Sequence, residues 1–141
     1  MTSAIITVAT MKGGSGKSTL ASCLAVHWQL GGRRPIVIDA DPQRSIARIA
    51  ARERALGGVP VVEDASPDAW KTARRLANQC DRVIIDTPGF RSDATLACLA
   101  ASDFVIVPVK PSPLARHDVS RSPMMEPARR RPEWASSPSG R

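Results

Sequence analysis

Short apolar runs alternate with helix-like segments along the first 114 residues. Ile5-Ile6-Thr7-Val8-Ala9 is β-branched and unbroken by charge, and Ile36-Val37-Ile38, Val83-Ile84-Ile85 and Phe104-Val105-Ile106-Val107 repeat the pattern. Continuous apolar runs of this length predict strands of a parallel sheet covered on both faces. Between them, Ser18 to Leu30 carries Leu20, Leu24 and Trp28 at helical spacing and stops at Gly31-Gly32. The Ala- and Arg-rich stretch from Gln43 to Leu56 predicts a second helix. Ser66-Pro67-Asp68 supplies a cap, a first-position proline and a first-turn acid for a third helix reaching about Asn78. Ser92-Asp93 opens a fourth, running through Ala101. The order β-α-β-α-loop-α-β-α-β, with right-handed crossovers, predicts a doubly wound, mostly parallel α/β sheet.

After Leu114 the pattern stops. Residues 115–141 hold four Pro, five Ser and six Arg, and only Val119, Met124, Met125 and Trp134 are large and apolar. No period of a helix or strand can be drawn there, which predicts a basic, disordered tail on a 1–114 domain. A frame shift in a GC-rich gene produces Arg/Pro/Ser-rich text of the same sort, so a second expectation is that the tail does not belong to the domain. Composition adds to this picture mainly by exclusion. Of the 141 residues 43% are hydrophobic and 23% charged, ordinary globular usage, so a wholly disordered or coiled-coil chain is excluded. No apolar run reaches the roughly 18 residues of a membrane span, and the start MTSAIITVAT lacks a basic leader. Cys23, Cys80 and Cys98 are scattered and odd in number, which predicts plain thiols and a reducing, cytoplasmic setting.

The net charge of +7 invites a nucleic-acid reading, but the excess is densest in the tail. Residues 1–114 carry 14 basic and 10 acidic side chains, a net of +4. The 27 tail positions carry six and three, a net of +3. The run Arg129-Arg130-Arg131 reads more simply as solvated charge than as a phosphate contact. His27 has no ligand-spaced partner, and Cys98, within Leu96-Ala97-Cys98-Leu99-Ala100, reads as a core thiol. Trp70 reads as a packing residue. The tail offers no amphipathic helix for a membrane surface.

The strongest chemical signal is Lys12-Gly13-Gly14-Ser15-Gly16-Lys17-Ser18-Thr19, placed after the first strand and opening the first helix. Glycines let backbone N–H groups turn inward around phosphate oxygens, and the helix N-terminus adds donors and a favourable dipole. Lys17 offers a charge to the β- and γ-phosphates, and the Ser18 hydroxyl can reach Mg²⁺. A phosphate loop also needs a metal anchor and an oriented water. Asp39 and Asp41 follow the second strand in Asp39-Ala40-Asp41-Pro42-Gln43, where side-chain alternation lets both share one face. The plainer reading of that string is an Asp-Pro turn capping the next helix, and the two can hold together. Val83-Ile84-Ile85-Asp86 ends the third run in a carboxylate of the Walker B kind, about 70 residues after the loop. Gly89 follows it with an N–H able to approach a γ-phosphate.

The loop has Met11 where the usual phosphate-loop pattern begins with glycine, and it adds Lys12. This K-G-G-x-G-K-[ST] string resembles the deviant Walker A loop of the ParA/MinD family of ATPases. D-x-D-P-Q resembles that family's first switch, and Val107-Pro108-Val109-Lys110-Pro111-Ser112-Pro113-Leu114 resembles the small plasmid-partition, ParF-like branch, which lacks an N-terminal DNA-binding domain. The resemblance covers about residues 3–114 and implies a P-loop NTPase that binds and hydrolyses ATP with Mg²⁺ to drive plasmid or chromosome partition. It implies that Lys12 reaches the partner subunit's nucleotide, the plain alternative being a surface lysine. It further implies that Asp41 positions the attacking water, and that Ser18, Asp39 and Asp86 hold the metal and its water. The implied partners are a second copy in a homodimer, a centromere-binding protein and nonspecific DNA. The resemblance breaks at Ala115, so the elements that carry adenine contacts and the DNA patch in relatives are expected to be missing. The alternatives are a truncated, non-catalytic fragment, or an ATP-using relative of the MinD or cobyrinic-acid-synthase kind.

Overall fold

The computed structural model describes residues 3–11, 15–52 and 55–109. Lys12, Gly13, Gly14 and everything from Lys110 onward, including the expected boundary at 114 and the 115–141 tail, lie outside the described residues. The strands are β1 (Ala4–Val8), β2 (Pro35–Asp39), β3 (Val61–Glu63), β4 (Arg82–Asp86) and β5 (Phe104–Ile106). They form one sheet in the order β3-β2-β4-β1-β5, with every neighbouring pair parallel. The helices are α1 (Lys17–Leu30), α2 (Ser45–Ala50), α3 (Ala69–Ala77) and α4 (Asp93–Ala101). This is the doubly wound α/β fold that the apolar runs predict.

Because strand side chains alternate, β1, β2 and β4 each contribute to two cores. Ile5, Ile38, Val83 and Ile85 face α3 and α4, where Ala69, Ala73 and Cys98 meet them. Val8, Val37 and Ile84 face α1 and α2, where Ala21, Ala25 and Ile46 meet them. Both faces of β4 are thus fully covered, which explains a strand with no polar alternation before its final Asp86.

Four local expectations change. The loop between the second and third predicted helices contains β3, three residues paired with β2 through Val37↔Val61. So short an edge strand leaves only Val61-Val62 as its signal. The helix expected over 43–56 shrinks to α2: Arg44 N–H bonds Asp41 O at 2.8 Å and delays its start with a turn through the Asp-Pro-Gln string, and at its far end Arg52 N–H bonds Ile49 O at 3.1 Å in a tighter turn. The helix expected from Ser66 begins at Ala69. The Ser66 and Thr72 hydroxyls both donate to Asp64, at 2.5 and 2.6 Å, so that carboxylate anchors the entry. On α1 the predicted stripe Leu20, Leu24, Trp28 is only half-buried, while Ala21 and Ala25 are fully buried. Small residues at the closest approach let the helix lie against the sheet, and the larger ones pack along its flanks. The α4 cap is as expected, Ser92 Oγ accepting from Thr95 N–H at 3.4 Å.

The three cysteines are free thiols in two environments. Cys23 is exposed on α1, whereas Cys80 and Cys98 are buried, and burial pushes Cys98 up to about 11. Only a thiolate attacks a disulfide reagent. At pH 8 the native protein is therefore expected to release one equivalent of chromophore from Ellman's reagent rapidly, and three in denaturant. Rapid reaction of all three without denaturant would show that the cores around Cys80 and Cys98 are open.

Candidate functional site

The parallel register brings three strands to one level. Val8 pairs with Asp86, and Asp86 with Asp39, so β1, β4 and β2 end side by side. In open α/β sheets ligands bind beyond these carboxyl ends. The chain leaving β1 becomes the glycine-rich loop and returns as α1. Gly16 takes φ +81, which a residue with a Cβ adopts only at a cost, and its carbonyl accepts from Leu20 N–H at 2.8 Å to start the helix.

The first two helical residues point back at the sheet. Lys17 Nζ donates to Asp86 Oδ1 at 2.5 Å, and Ser18 Oγ donates to Asp86 Oδ2 at 2.6 Å. Lys17 Nζ also lies 3.8 Å from Asp41 Oδ2, its side chain only 10% exposed. Asp86 is wholly buried. Burial pushes its carboxyl above the ordinary range, and the hydrogen bonds from Lys17 and Ser18 offset only part of that. Asp39 is buried too, and both its oxygens accept from backbone. Oδ1 takes Asp41 N–H at 3.3 Å, and Oδ2 takes Ala47 N–H at 2.9 Å in the first turn of α2. Asp39 therefore ties the turn to α2, as the plainer Asp-Pro reading anticipates, beside whatever else it holds. Asp41 Oδ1 accepts from Gln43 N–H at 2.9 Å.

The β4 exit is stitched to the β1 exit: Thr87 N–H bonds Val8 O and Phe90 N–H bonds Thr10 O. Gly89 between them has φ +133, and a Cβ there would stand 3.3 Å from Thr10 O, so glycine alone fits without strain. Thr19 is exposed, and Ser15 Oγ is buried with no hydrogen-bond partner. The structure thus brings Lys17, Ser18, Asp39, Asp41 and Asp86 together, whereas Lys12, Gly13 and Gly14 fall outside the described residues. Two further residues border the site without any signal in the sequence. Arg44, at φ 56, holds Glu63 of β3 through its guanidinium.

The donor set fits a polyphosphate with a hydrated hard cation. A hydroxyl and a carboxylate oxygen stand together on Ser18 and Asp86, an ammonium lies beside them, and the Ser15 hydroxyl is unpartnered. Among the described residues no group of three or more His, Cys, Asp or Glu forms a metal cage. Magnesium does not need one, since it is commonly held by one or two protein oxygens plus phosphates and water.

The sequence profile of the CobQ/CobB/MinD/ParA nucleotide binding domain matches residues 6–117. The maintenance of carboxysome distribution protein A of Gloeobacter kilaueensis is 32% identical over 111 residues, covering 78% of this chain and 50% of that protein. The chromosome-partitioning ATPase Soj of Thermus thermophilus is 31% identical over 134 residues, covering 74% and 54%. The septum site-determining protein MinD of Pyrococcus horikoshii, solved with Mg-ADP, superposes with a TM-score of 0.68 at 19% identity, covering 82% and 61%. The chain spans about half the length of the curated relatives it matches.

Proposed function

The chain belongs to the CobQ/CobB/MinD/ParA family of nucleotide-binding domains, and from that premise we propose that it binds and hydrolyses ATP with Mg²⁺ in ParA-type partition of a plasmid or chromosome. One observation carries the reading. The Lys17 ammonium and the Ser18 hydroxyl converge on Asp86 at the strand tips, with Asp41 facing Lys17 from the next loop. The name of the Thermus relative, a chromosome-partitioning ATPase, and the Mg-ADP in the Pyrococcus structure support the choice of nucleotide and process.

Each residue then has a role. Lys17 turns from Asp86 toward the β- and γ-phosphates, while the N–H groups of the 13–19 loop cradle them. Ser18 and Asp86 hold the metal, with Asp39 behind them helping to hold its water. Magnesium, when bound, neutralises phosphate charge and draws electron density toward the leaving oxygen. Asp41 orients the attacking water and Gly89 offers its N–H to the γ-phosphate. Lys12 contributes its charge across a homodimer. A centromere-binding protein completes the apparatus, and no described surface of this chain is assigned to nonspecific DNA. No described helix is long and apolar enough to cross a membrane; we place the protein in the cytoplasm.

The direct test is phosphate release by the purified full chain, alongside calorimetric ATP binding with Mg²⁺ or EDTA. The expected result is binding and slow turnover, both dependent on Mg²⁺. No binding at millimolar MgATP overturns the reading, and binding without turnover leaves a nucleotide-holding domain.

A further inference from the structure

Among the described residues Arg44 is the one non-glycine residue with positive φ, at φ 56 and ψ 42. A left-handed arginine is uncommon, and such conformations persist only where the surroundings fix them. Here they do. Arg44 N–H bonds Asp41 O at 2.8 Å, and its guanidinium grips Glu63 with both prongs. Nη2 donates to Oε1 at 2.7 Å, and Nε pairs with Oε2. Glu63 ends β3 in register with Asp39, which is itself in register with Asp86. The loop carrying Asp41 is therefore pinned twice. Inside, buried Asp39 holds the N–H groups of Asp41 and Ala47. Outside, the Arg44–Glu63 pair holds the far end of the turn.

We infer that the Arg44–Glu63 pair is a latch that positions the Asp41 carboxylate opposite Lys17. Arg44 and Glu63 are positioning residues, since neither touches Lys17, Ser18 or Asp86. Both side chains are exposed, and an exposed ion pair contributes little to global stability. Its consequence lies in geometry. The two-pronged fork fixes direction as well as distance, and the left-handed turn transmits that direction to Asp41 through the Arg44 N–H bond to Asp41 O. An error of about 1 Å at a group that orients a reactant is enough to slow a reaction severely. The bearing on turnover rests on the hydrolytic reading above; the latch itself rests on the turn.

The test uses the full chain with two readouts, amide hydrogen exchange without nucleotide and steady-state ATP turnover. The variants are Glu63→Gln, Arg44→Gly and their double. In Glu63→Gln the amides of Gln43 and Arg44 are expected to exchange about tenfold faster, with α1 and α4 unchanged. Turnover should fall about fivefold in kcat, with KM for ATP within about twofold. Arg44→Gly should behave alike and the double no worse, because both singles break the same latch. Arg44→Lys, keeping charge without the fork, should fall between. Unchanged exchange in the 41–47 segment of Glu63→Gln overturns the latch, and so do single effects that simply add in the double. If the wild-type chain binds no ATP, the hydrolytic reading falls and the exchange result alone decides the latch.

Discussion

Lys17→Ala is expected to lower ATP affinity by at least about 100-fold. The Lys17 ammonium is largely shielded, with Asp86 at 2.5 Å and Asp41 at 3.8 Å, so its field is weakly screened. A charge-assisted hydrogen bond contributes about 1.5–3 kcal/mol, and about 1.4 kcal/mol is tenfold in affinity. Two such contacts to neighbouring phosphates reach the hundredfold figure. The substitution also acts without ligand. It leaves the wholly buried Asp86 carboxylate with Ser18 as its remaining side-chain donor. Breaking a buried pair from one side costs about 3–5 kcal/mol unless the remaining charge can neutralise. Asp86 can, because burial already holds its carboxyl above the ordinary range. A raised folded-state value means the group's contribution is complete below its unfolded value and is lost as pH rises through the folded one. The gap in stability between wild type and Lys17→Ala should therefore widen as pH rises above the ordinary carboxylate range. Calorimetric titration with MgATP on a variant shown folded by circular dichroism separates the two effects. Affinity within about threefold of wild type in a folded variant would remove Lys17 from the phosphate site.

What could be read beforehand follows from how local each signal is. The apolar runs of β1, β2 and β4 are buried on both faces, so their burial shows as unbroken hydrophobicity, and their end residues Asp39 and Asp86 stand out against it. The glycine-rich string could be placed because strand and helix follow one another directly between Ala4 and Leu30. Edge elements carry less of this. Strand β3 has three residues, none fully buried, and among the described strands β5 borders β1 alone. The late start of α2 depends on hydrogen bonds from Arg44 to Asp41 and from Ala47 to Asp39, which close only once the turn is formed. The Arg44–Glu63 pair joins residues 19 apart on two elements, and no spacing rule links them. Asp39 is the instructive case. Its position was legible, yet its two backbone bonds depend on where α2 begins.

Asp41→Ala is expected to separate binding from turnover. The Asp41 carboxylate uses one oxygen to hold Gln43 N–H at 2.9 Å, and turns the other toward Lys17 at 3.8 Å, beyond hydrogen-bond reach. That second oxygen has no tight partner in the described residues, and it faces the lysine that is to meet phosphate. Its absence removes no phosphate donor. It removes a negative charge near where phosphate arrives, so ATP affinity should stay within about threefold of wild type or tighten. The cost to the fold is one partly buried acceptor, about 1 kcal/mol. Turnover is another matter. A carboxylate that orients or deprotonates a reactant contributes about 100- to 10,000-fold, so kcat should fall by at least about 100-fold. Asp41→Asn sharpens the reading, since it keeps an acceptor for Gln43 N–H and the size of the side chain while losing the charge. If it too binds ATP and fails to turn it over, the charge is what the reaction uses. If Asp41→Asn restores most of the rate, the carboxylate acts by holding the turn. Hydrolysis by Asp41→Ala at the wild-type rate would take Asp41 out of the reaction altogether and leave Lys17, Ser18 and Asp86 as a binding site whose water is positioned by another group.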